Sequence, residues 1–129
     1  MPRFDPLRLL AVLDDERVRT LVADRDGEVV GQTTFGTSRD SDAPATAGEV
    51  RSLFVGPASW GGGVGSALLL QALAGLAAMG FAEATLWSFA TNERANRFYE
   101  RHGFERDGSE QRDEVWGGLL EVRYRRALP

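Results

Sequence analysis

VRSLFVGPASWGGGVG, residues 50–65, is the stretch from which the fold of this chain is best predicted. The run Val50–Val55 is largely apolar and β-prone, Gly56-Pro57 ends it, and a helical pattern begins at Ser66. The glycines in between remove side chains that would keep a ligand away from the backbone, and the first turn of a helix presents free N–H groups. A strand, a glycine loop and a helix in this order predict an anion site, most often for a phosphate.

Two common phosphate ligands fit this loop poorly. A nucleoside-triphosphate loop needs a lysine after its last glycine, and the chain contains no lysine, which excludes that interpretation. A dinucleotide fingerprint would have to use Gly61, Gly63 and Ser66, and the next predicted strand ends at residues 88–90 without an acid for a ribose hydroxyl. The dinucleotide interpretation is therefore weak.

Composition restricts the protein class. The 129 residues, 43% hydrophobic and 26% charged, predict one globular domain over residues 1–129, with a short N-terminal element at 1–17. No run of about 18 apolar residues and no charged-then-apolar leader is present, so we expect no membrane partner and a cytoplasmic location. A net charge of −4 argues weakly against nucleic acid and weakly for a cationic partner. The lack of cysteine and the single histidine exclude disulfides and predict no metal site.

The first half of the chain predicts a hairpin ahead of the central strand. Leucines at loosely helical spacing within residues 1–16 predict a short helix. Residues 18–23 and 28–35 are β-prone and flank Asp26-Gly27, which is a strong turn signal, so we expect an antiparallel pair there. The polar, small residues 36–48 predict a surface loop.

The second half predicts helices alternating with strands. Apolar residues at four-residue spacing predict a buried helix that ends at Gly80: Val64, Leu68, Ala72 and Leu76, widened by Leu69, Leu73 and Met79. A strand over 83–89 then implies a parallel crossover beside Val50–Val55. Asn92 predicts the cap of a second helix ending at Gly103, and strands over 104–112 and 118–126 complete a mixed α/β sheet.

Two motifs at a matching distance resemble those of the GCN5-related N-acetyltransferases (GNAT). Trp60-Gly61-Gly62-Gly63-Val64-Gly65 is similar to the acyl-CoA motif Arg/Gln-x-x-Gly-x-Gly/Ala, and Asn92-x-x-Ala95-x-x-Phe98-Tyr99-x-x-x-Gly103-Phe104 resembles the downstream signature. The resemblance covers about residues 18–128 and implies a GNAT-like acyl-CoA N-acyltransferase fold. It also implies acetyl-CoA as the co-substrate and an amine, on a small molecule or a peptide, as the acceptor. With no cysteine available, transfer should be direct.

The resemblance assigns cofactor-binding roles residue by residue. In the family, two parallel strands splay and the pantetheine arm bonds to the first of them, here through Leu53 and Val55. The N–H of Leu53 or Phe54 should polarise the thioester carbonyl. The pyrophosphate should lie on the loop and first helical turn, which comprise Trp60, Gly61, Gly62, Gly63, Val64, Gly65 and Ser66.

The second helix offers further candidates for binding the cofactor. Asn92 would bond the cofactor arm, and the alternative is that it simply caps the helix. Arg97, with Arg94 and Arg101 on one helix face, could meet the 3′-phosphate of CoA, although a solvated face is the commoner explanation of such a pattern.

Two residues are candidates for catalysis. Tyr99 matches the family tyrosine that protonates the departing thiolate, and the alternative is a core aromatic beside Phe98. Glu49, at the start of the CoA-holding strand, is the candidate base for the acceptor amine, and the alternative is an exposed carboxylate at the end of a strand.

The sequence departs from the family pattern twice. Trp60 replaces Arg or Gln, which removes a charge contact to phosphate but leaves the backbone donors, so we expect CoA binding to survive. A first strand and two helices normally precede the segment at 18–23, and only seventeen residues are available here, so the fold should be N-terminally shortened. A homodimer could complete the open acceptor cleft through Leu7, Leu9, Leu10, Val12 and Leu13.

The sequence therefore predicts an N-acetyltransferase that acts on an unidentified primary amine. The alternative is a non-catalytic module that binds acyl-CoA as a signal. A nucleotide-binding module outside the family is a weaker second alternative, because the chain has no lysine.

Overall fold

All strands of the described chain lie in one mixed sheet. The computed structural model describes residues 7–115 and 117–129. The strands are β1 (Leu7–Asp14), β2 (Val18–Arg25), β3 (Glu28–Thr37), β4 (Ala47–Val55), β5 (Glu83–Phe89), β6 (Glu105–Asp113) and β7 (Leu119–Ala127), with helices α1 (Val64–Ala78) and α2 (Glu93–Arg101) and a 3-10 turn at Pro57–Ser59. The strand order is β1-β2-β3-β4-β5-β7-β6, and only β4 and β5 pair in parallel. The predicted mixed α/β sheet and its parallel crossover are confirmed.

The expected N-terminal helix is wrong over the residues that the structure describes. Residues 7–14 form β1, which pairs antiparallel with β2, while residues 1–6 lie outside the described residues. Leu7 and Leu9 pack against Ala23 on the helix side of the sheet, so the leucines alternate as a strand requires. Short apolar runs fit helix and strand patterns alike, and pairing with β2 decides between them.

The shortening of the fold is located between β1 and β2. A first strand is present, contrary to expectation, and residues 15–17 join it directly to β2. The turn is held by a bond from the Asp15 N–H to the Val18 carbonyl at 3.0 Å and one from the Arg17 N–H to the Asp15 carboxylate at 2.8 Å. The two helices that normally precede this segment in the family are absent from this connection, as the short N-terminus led us to expect.

Helix α1 is buried as its apolar spacing predicts. Val64, Leu68, Leu69, Ala72, Leu73 and Leu76 are all buried. At its end, the Phe81 N–H reaches the Leu76 carbonyl at 3.1 Å, and the Gly80 N–H reaches the Ala77 carbonyl at 3.0 Å. This is the Schellman arrangement, and it requires the positive φ of Gly80, +96°. The predicted cap at Gly80 is confirmed.

Both helices lie on one face of the sheet. Helix α1 packs on Val50 and Leu86, and α2 is bonded through Asn96 to Ser88, which is on the same side of β5 as Leu86. Within residues 7–115 and 117–129, no helix covers the other face. There, the loop at residues 38–46 crosses β5 and β7, where Asp40 accepts from Trp87 Nε1 at 2.9 Å and pairs with Arg123 at 3.2 Å.

Strands β4 and β5 separate after a short parallel ladder. They pair only from Ala47 opposite Glu83 to Glu49 opposite Thr85. Beyond that point β4 continues to Val55 without a partner on the β5 side. The separation leaves a gap in the sheet beside the glycine loop.

Candidate functional site

A cleft of about 670 Å³ opens where β4 and β5 separate. It lies between the end of β4, the glycine loop with the start of α1, and one face of α2. The structure brings twelve of the residues predicted from the sequence together in its lining: Leu53, Phe54, Val55, Trp60, Gly61, Gly63, Val64, Gly65, Ser66, Asn92, Arg97 and Tyr99. Gly62 and Glu49 are not among the lining residues.

The glycine loop gives the cleft an uncovered backbone. Gly61 and Gly63 have φ of +80° and +83°, and a Cβ at either position would meet nothing within 4 Å. No side chain caps α1 at Gly63, so the N–H groups of its first turn have no side-chain acceptor. At Gly65 a Cβ would lie 3.4 Å from the Phe98 ring, which brings α1 close to α2. The loop can therefore accept an anion at the positive end of the α1 dipole.

The β4 edge presents two residues to the gap. The Gly56 N–H donates to the Val30 carbonyl at 2.9 Å, so Gly56 and Val30 form a hydrogen-bonded pair of the β3–β4 ladder. Because such pairs alternate in antiparallel strands, the N–H and C=O groups of Leu53 and Val55 point away from β3 and into the gap. Those of Phe54 point towards β3. This geometry favours Leu53 over Phe54 as the N–H donor to a ligand in the gap.

Trp60 closes the outer end of this edge. Its Nε1 donates to the Val55 carbonyl at 2.8 Å, and the Arg94 guanidinium lies 4.3 Å from the centre of its ring. Both side chains line the cleft. The carbonyl that the resemblance assigns to pantetheine therefore already has a donor. Neither contact follows from the sequence spacing, because they join a loop to a strand end and to a second helix.

Helix α2 supplies the opposite wall. Arg94, Arg97 and Arg101 all line the cleft, and Arg97 also lies 3.9 Å from Glu93 along the helix. The Asn92 side chain accepts the Ala95 N–H at 3.2 Å, so it caps α2 while facing the cleft. Three guanidinium groups beside a glycine loop suit a ligand that carries several phosphates.

A residue that sequence analysis missed fixes α2 against β5. The buried Asn96 accepts from Ser88 Oγ at 2.7 Å and donates to the carbonyls of Phe89 and Ala90 at 3.2 Å each. The sequence carried one signal for this role. Asn96 is an amide on the buried face of a short helix, and a buried polar group needs hydrogen-bond partners. Asn96 holds the start of α2 at the end of β5 and so positions Tyr99 one turn further along.

Tyr99 lies in the cleft with its ring packed among aromatics. Its ring centre is 5.5 Å from that of Phe98 and 6.1 Å from those of Phe104 and Tyr124. Burial raises the pKa of Tyr99 to about 12. The phenol therefore keeps its proton throughout the neutral range, so a proton is available in the cleft, and burial makes the phenol a weaker acid than an exposed tyrosine.

This burial predicts the behaviour of the protein in alkali. The chain has two tyrosines, and burial raises the pKa of both Tyr99 and Tyr124. Below pH of about 10, folded and unfolded states both carry neutral phenols and stability does not depend on them. Above it, the unfolded chain loses protons that the folded one keeps, so stability should fall by about 1.4 kcal/mol per pH unit for each tyrosine.

Near-ultraviolet absorbance of tyrosinate checks this expectation. Little tyrosinate should form before unfolding begins, and Tyr124→Phe should leave a single late titration that belongs to Tyr99. A normal tyrosine titration in the folded Tyr124→Phe variant would contradict the burial of Tyr99.

Glu49 lies on the other side of the gap. Gly48 contacts Leu76 and Val50 packs against α1, so the side chain between them points to the face without helices. It is 1% exposed, and the interpretation as an exposed carboxylate is wrong. Its Oε1 accepts the Arg39 N–H at 2.8 Å and Nε at 3.3 Å, and its Oε2 accepts Arg39 Nη2 at 2.9 Å. Its role as a base stays a prediction.

The edge strand carries the residues suggested for a dimer. Leu10, Val12 and Leu13 of β1 are exposed, whereas Leu7 and Leu9 pack inwards. A homodimer through this strand stays a prediction. No helix within the described residues is long and apolar enough to cross a membrane.

The chain is similar in sequence to known acetyltransferases. The Acetyltransferase (GNAT) family model matches residues 2–104. An uncharacterized N-acetyltransferase of Mycobacterium bovis is 32% identical over 102 residues, which cover 79% of this chain and 62% of that protein. A mycothiol acetyltransferase of Streptomyces avermitilis is 41% identical over 83 residues, 64% of this chain and 26% of that one. This chain thus spans less than two thirds of the length of either relative.

A solved structure shares the fold over nearly the whole length of both chains. The crystal structure of a Bacillus subtilis acetyltransferase in complex with CoA superposes with a TM-score of 0.78 at 14% identity, over 96% of this chain and 100% of that one. At this identity the likeness concerns the fold alone. The family model nevertheless covers most of the chain, including both motifs quoted above, and the chain belongs to the Acetyltransferase (GNAT) family.

Proposed function

We propose that the protein transfers an acetyl group directly from acetyl-CoA to a primary amine. The observation that carries the proposal is the single cleft that joins an uncapped glycine loop, the gap-facing edge of β4 and the Tyr99 phenol. Each part suits one portion of acetyl-CoA, namely the pyrophosphate, the pantetheine amides and the thioester sulfur.

The backbone would bind and orient the co-substrate. N–H groups of the loop and of the first turn of α1 hold the pyrophosphate, and the guanidinium groups of α2 are available for the remaining phosphate. The gap-facing groups of Leu53 and Val55 bond the extended pantetheine arm as a neighbouring strand would. The N–H of Leu53 then polarises the thioester carbonyl as negative charge develops on its oxygen.

Two side chains would manage the protons. The amine nitrogen attacks the thioester carbonyl carbon, the C–S bond breaks, and the leaving sulfur takes the proton of Tyr99. The proton that the amine loses goes to Glu49, directly or through water. Glu49 faces the sheet side opposite to the helices, so acceptor and acetyl-CoA would meet at the gap from opposite sides.

A thiol-release assay with a panel of amines tests the proposal. CoA should appear only when both acetyl-CoA and a suitable amine are present, and calorimetric titration should show acetyl-CoA binding without any amine. Binding of acetyl-CoA without turnover of any amine would instead indicate the alternative, a non-catalytic acyl-CoA sensor. That alternative draws on one contact, since Arg39 occupies the carboxylate of Glu49, the proposed base.

Trp60→Phe should bind CoA more tightly than the wild type. The variant keeps an aromatic ring under Arg94 but removes the N–H that competes for the Val55 carbonyl. One neutral hydrogen bond is worth about 1 kcal/mol, so we expect the dissociation constant to fall about fivefold in calorimetric titration.

Trp87→Phe is the matched control for that change. It removes an indole bond of similar length, 2.9 Å to Asp40, on the other side of the sheet. It should leave CoA affinity unchanged. Weaker binding by Trp60→Phe would show that the indole N–H helps to hold the cofactor.

A further inference from the structure

Glu49 and Arg39 form an ion pair outside the cleft that the proposed acetyl transfer does not explain. Glu49 is the last residue of the β4–β5 ladder, opposite Thr85, and so lies where the gap begins. Its carboxylate is almost fully buried, whereas the Arg39 side chain is 57% exposed. A cation that reaches over from a loop thus covers a carboxylate at the point where the two strands part.

The two kinds of contact that Arg39 makes differ in how easily they can be lost. The backbone N–H bond to Oε1 belongs to the loop at residues 38–46, which is held elsewhere through Asp40 and Asp42 on Arg123. The guanidinium reaches Glu49 from the solvent side, and its further contact, Nη2 to the Arg51 carbonyl, is long at 3.4 Å. The guanidinium can leave while the backbone N–H continues to orient the carboxylate.

The surroundings favour a positive charge at this position. Glu49 by its hydrogen bond, and Asp40 and Glu121 by their charge, raise the pKa of Arg39. The guanidinium groups of Arg51 and Arg123 are bound elsewhere, Arg51 to the carbonyl and hydroxyl of Thr37 and Arg123 to three aspartates. A cation at the Glu49 carboxylate is therefore also favoured by the charges of Asp40 and Glu121, whereas Arg51 and Arg123 are bound to other groups.

We propose that the Glu49 carboxylate is a binding site for an alkylammonium group of the acceptor and that the Arg39 guanidinium fills this site until the acceptor displaces it. The inference rests on the proposed acetyl transfer and adds the class of acceptor: a cationic primary amine that enters from the helix-free face. The bound ammonium first releases one proton to water, which leaves a free amine facing the gap, and Glu49 takes the second proton when the amine nitrogen bonds to the thioester carbonyl carbon. An acceptor whose amine is uncharged at neutral pH gains no binding affinity from the Glu49 carboxylate.

Arg39→Ala tests the proposal without requiring any activity. The probe is ethylammonium chloride, titrated by calorimetry or by NMR shifts at constant ionic strength. The variant should bind ethylammonium saturably and at least about tenfold more tightly than the wild type, because the wild type must first release its own cation. Adding Glu49→Gln to the variant should abolish this binding.

Arg8→Ala is the matched control. Arg8 is also an exposed arginine on a buried carboxylate, with side-chain exposures of 62% for Arg8 and 9% for Asp24 at 3.1 Å, but the pair lies on β1 and β2, away from the gap. If Arg8→Ala binds ethylammonium as well as Arg39→Ala does, uncovering any carboxylate suffices and the proposal is wrong. It is equally wrong if Arg39→Ala binds none, or if binding survives Glu49→Gln.

Two further measurements keep the test decisive. Arg39→Met retains the aliphatic stem and replaces Arg39→Ala should the latter not fold. Titration of each variant with CoA is the second. If the Arg39 variants bind CoA normally but do not bind ethylammonium, this inference alone is wrong. If the wild type does not bind CoA, the proposed function is wrong.

Discussion

Gly63→Val is expected to abolish detectable binding of acetyl-CoA. Gly63 caps α1 at φ +83°, and its missing Cβ faces open space beside the cleft. A valine there places a branched side chain where the pyrophosphate should lie and disfavours the left-handed backbone that aims the loop N–H groups. Hydrogen bonds to charged groups are worth about 1.5–3 kcal/mol each, so losing two weakens binding at least about a hundredfold.

Gly27→Val separates this effect from simple destabilisation. Gly27 has φ +82°, and its Cβ would also meet nothing within 4 Å, but it lies in the turn between β2 and β3. Both valines should destabilise the fold by about 1–2 kcal/mol through the same backbone cost. Calorimetric titration should find normal acetyl-CoA affinity in Gly27→Val only. Equal losses in both variants would mean that the glycine loop has no special part in binding.

The local signals of this chain were sufficient for the central part of the fold. Four-residue apolar spacing, the Gly80 cap and the Asn92 cap each depend on neighbours in sequence, and α1 and α2 begin and end close to where those signals predict. The gap between β4 and β5 was predictable from these local signals together with the family resemblance. Nine of the twelve predicted residues in its lining fall within residues 53–66, where strand, loop and helix are consecutive in the chain, and the other three belong to α2 and its cap.

Contacts between distant segments were not predictable from sequence patterns. The leucines of β1 fit a helix as well as a strand, and the decision depends on pairing with β2. Glu49 could not be recognised as buried, because the arginine that pairs with it lies ten residues away in a loop without regular structure. The Trp60 bond to the Val55 carbonyl has the same origin, since the direction of a loop side chain depends on the whole cleft.

These missed contacts affect the site in a common way. Arg39 holds the predicted base on one side of the gap, and Trp60 holds a predicted pantetheine acceptor on the other. In each case a side chain of the protein occupies the group that a substrate would use. If the substrates use these groups as proposed, each competes with a side chain that is already bound there, which reduces affinity but keeps both groups oriented in the free protein.

Tyr99→Phe should lower kcat at least about a hundredfold, which is the range for loss of a positioned general acid. The phenol lies in the cleft, and its pKa of about 12 keeps it protonated at the pH of the assay. Without it, the sulfur must leave as an unprotonated thiolate. The ring packing on Phe98, Phe104 and Tyr124 is kept by phenylalanine, so acetyl-CoA affinity in calorimetric titration should not change.

The second tyrosine of the chain provides the control for that experiment. Tyr124 is fully buried, and its hydroxyl contacts Glu100 at 2.8 Å and Arg106 at 3.1 Å, outside the set of residues that line the cleft. Tyr124→Phe should cost about 1 kcal/mol of stability through lost hydrogen bonds and leave kcat near the wild-type value. If instead both variants retain full kcat, Tyr99 is a core aromatic and the thiolate leaves without help from the protein. A fall in kcat for Tyr99→Phe alone assigns the proton to its phenol, because the two substitutions remove the same atom from neighbouring rings.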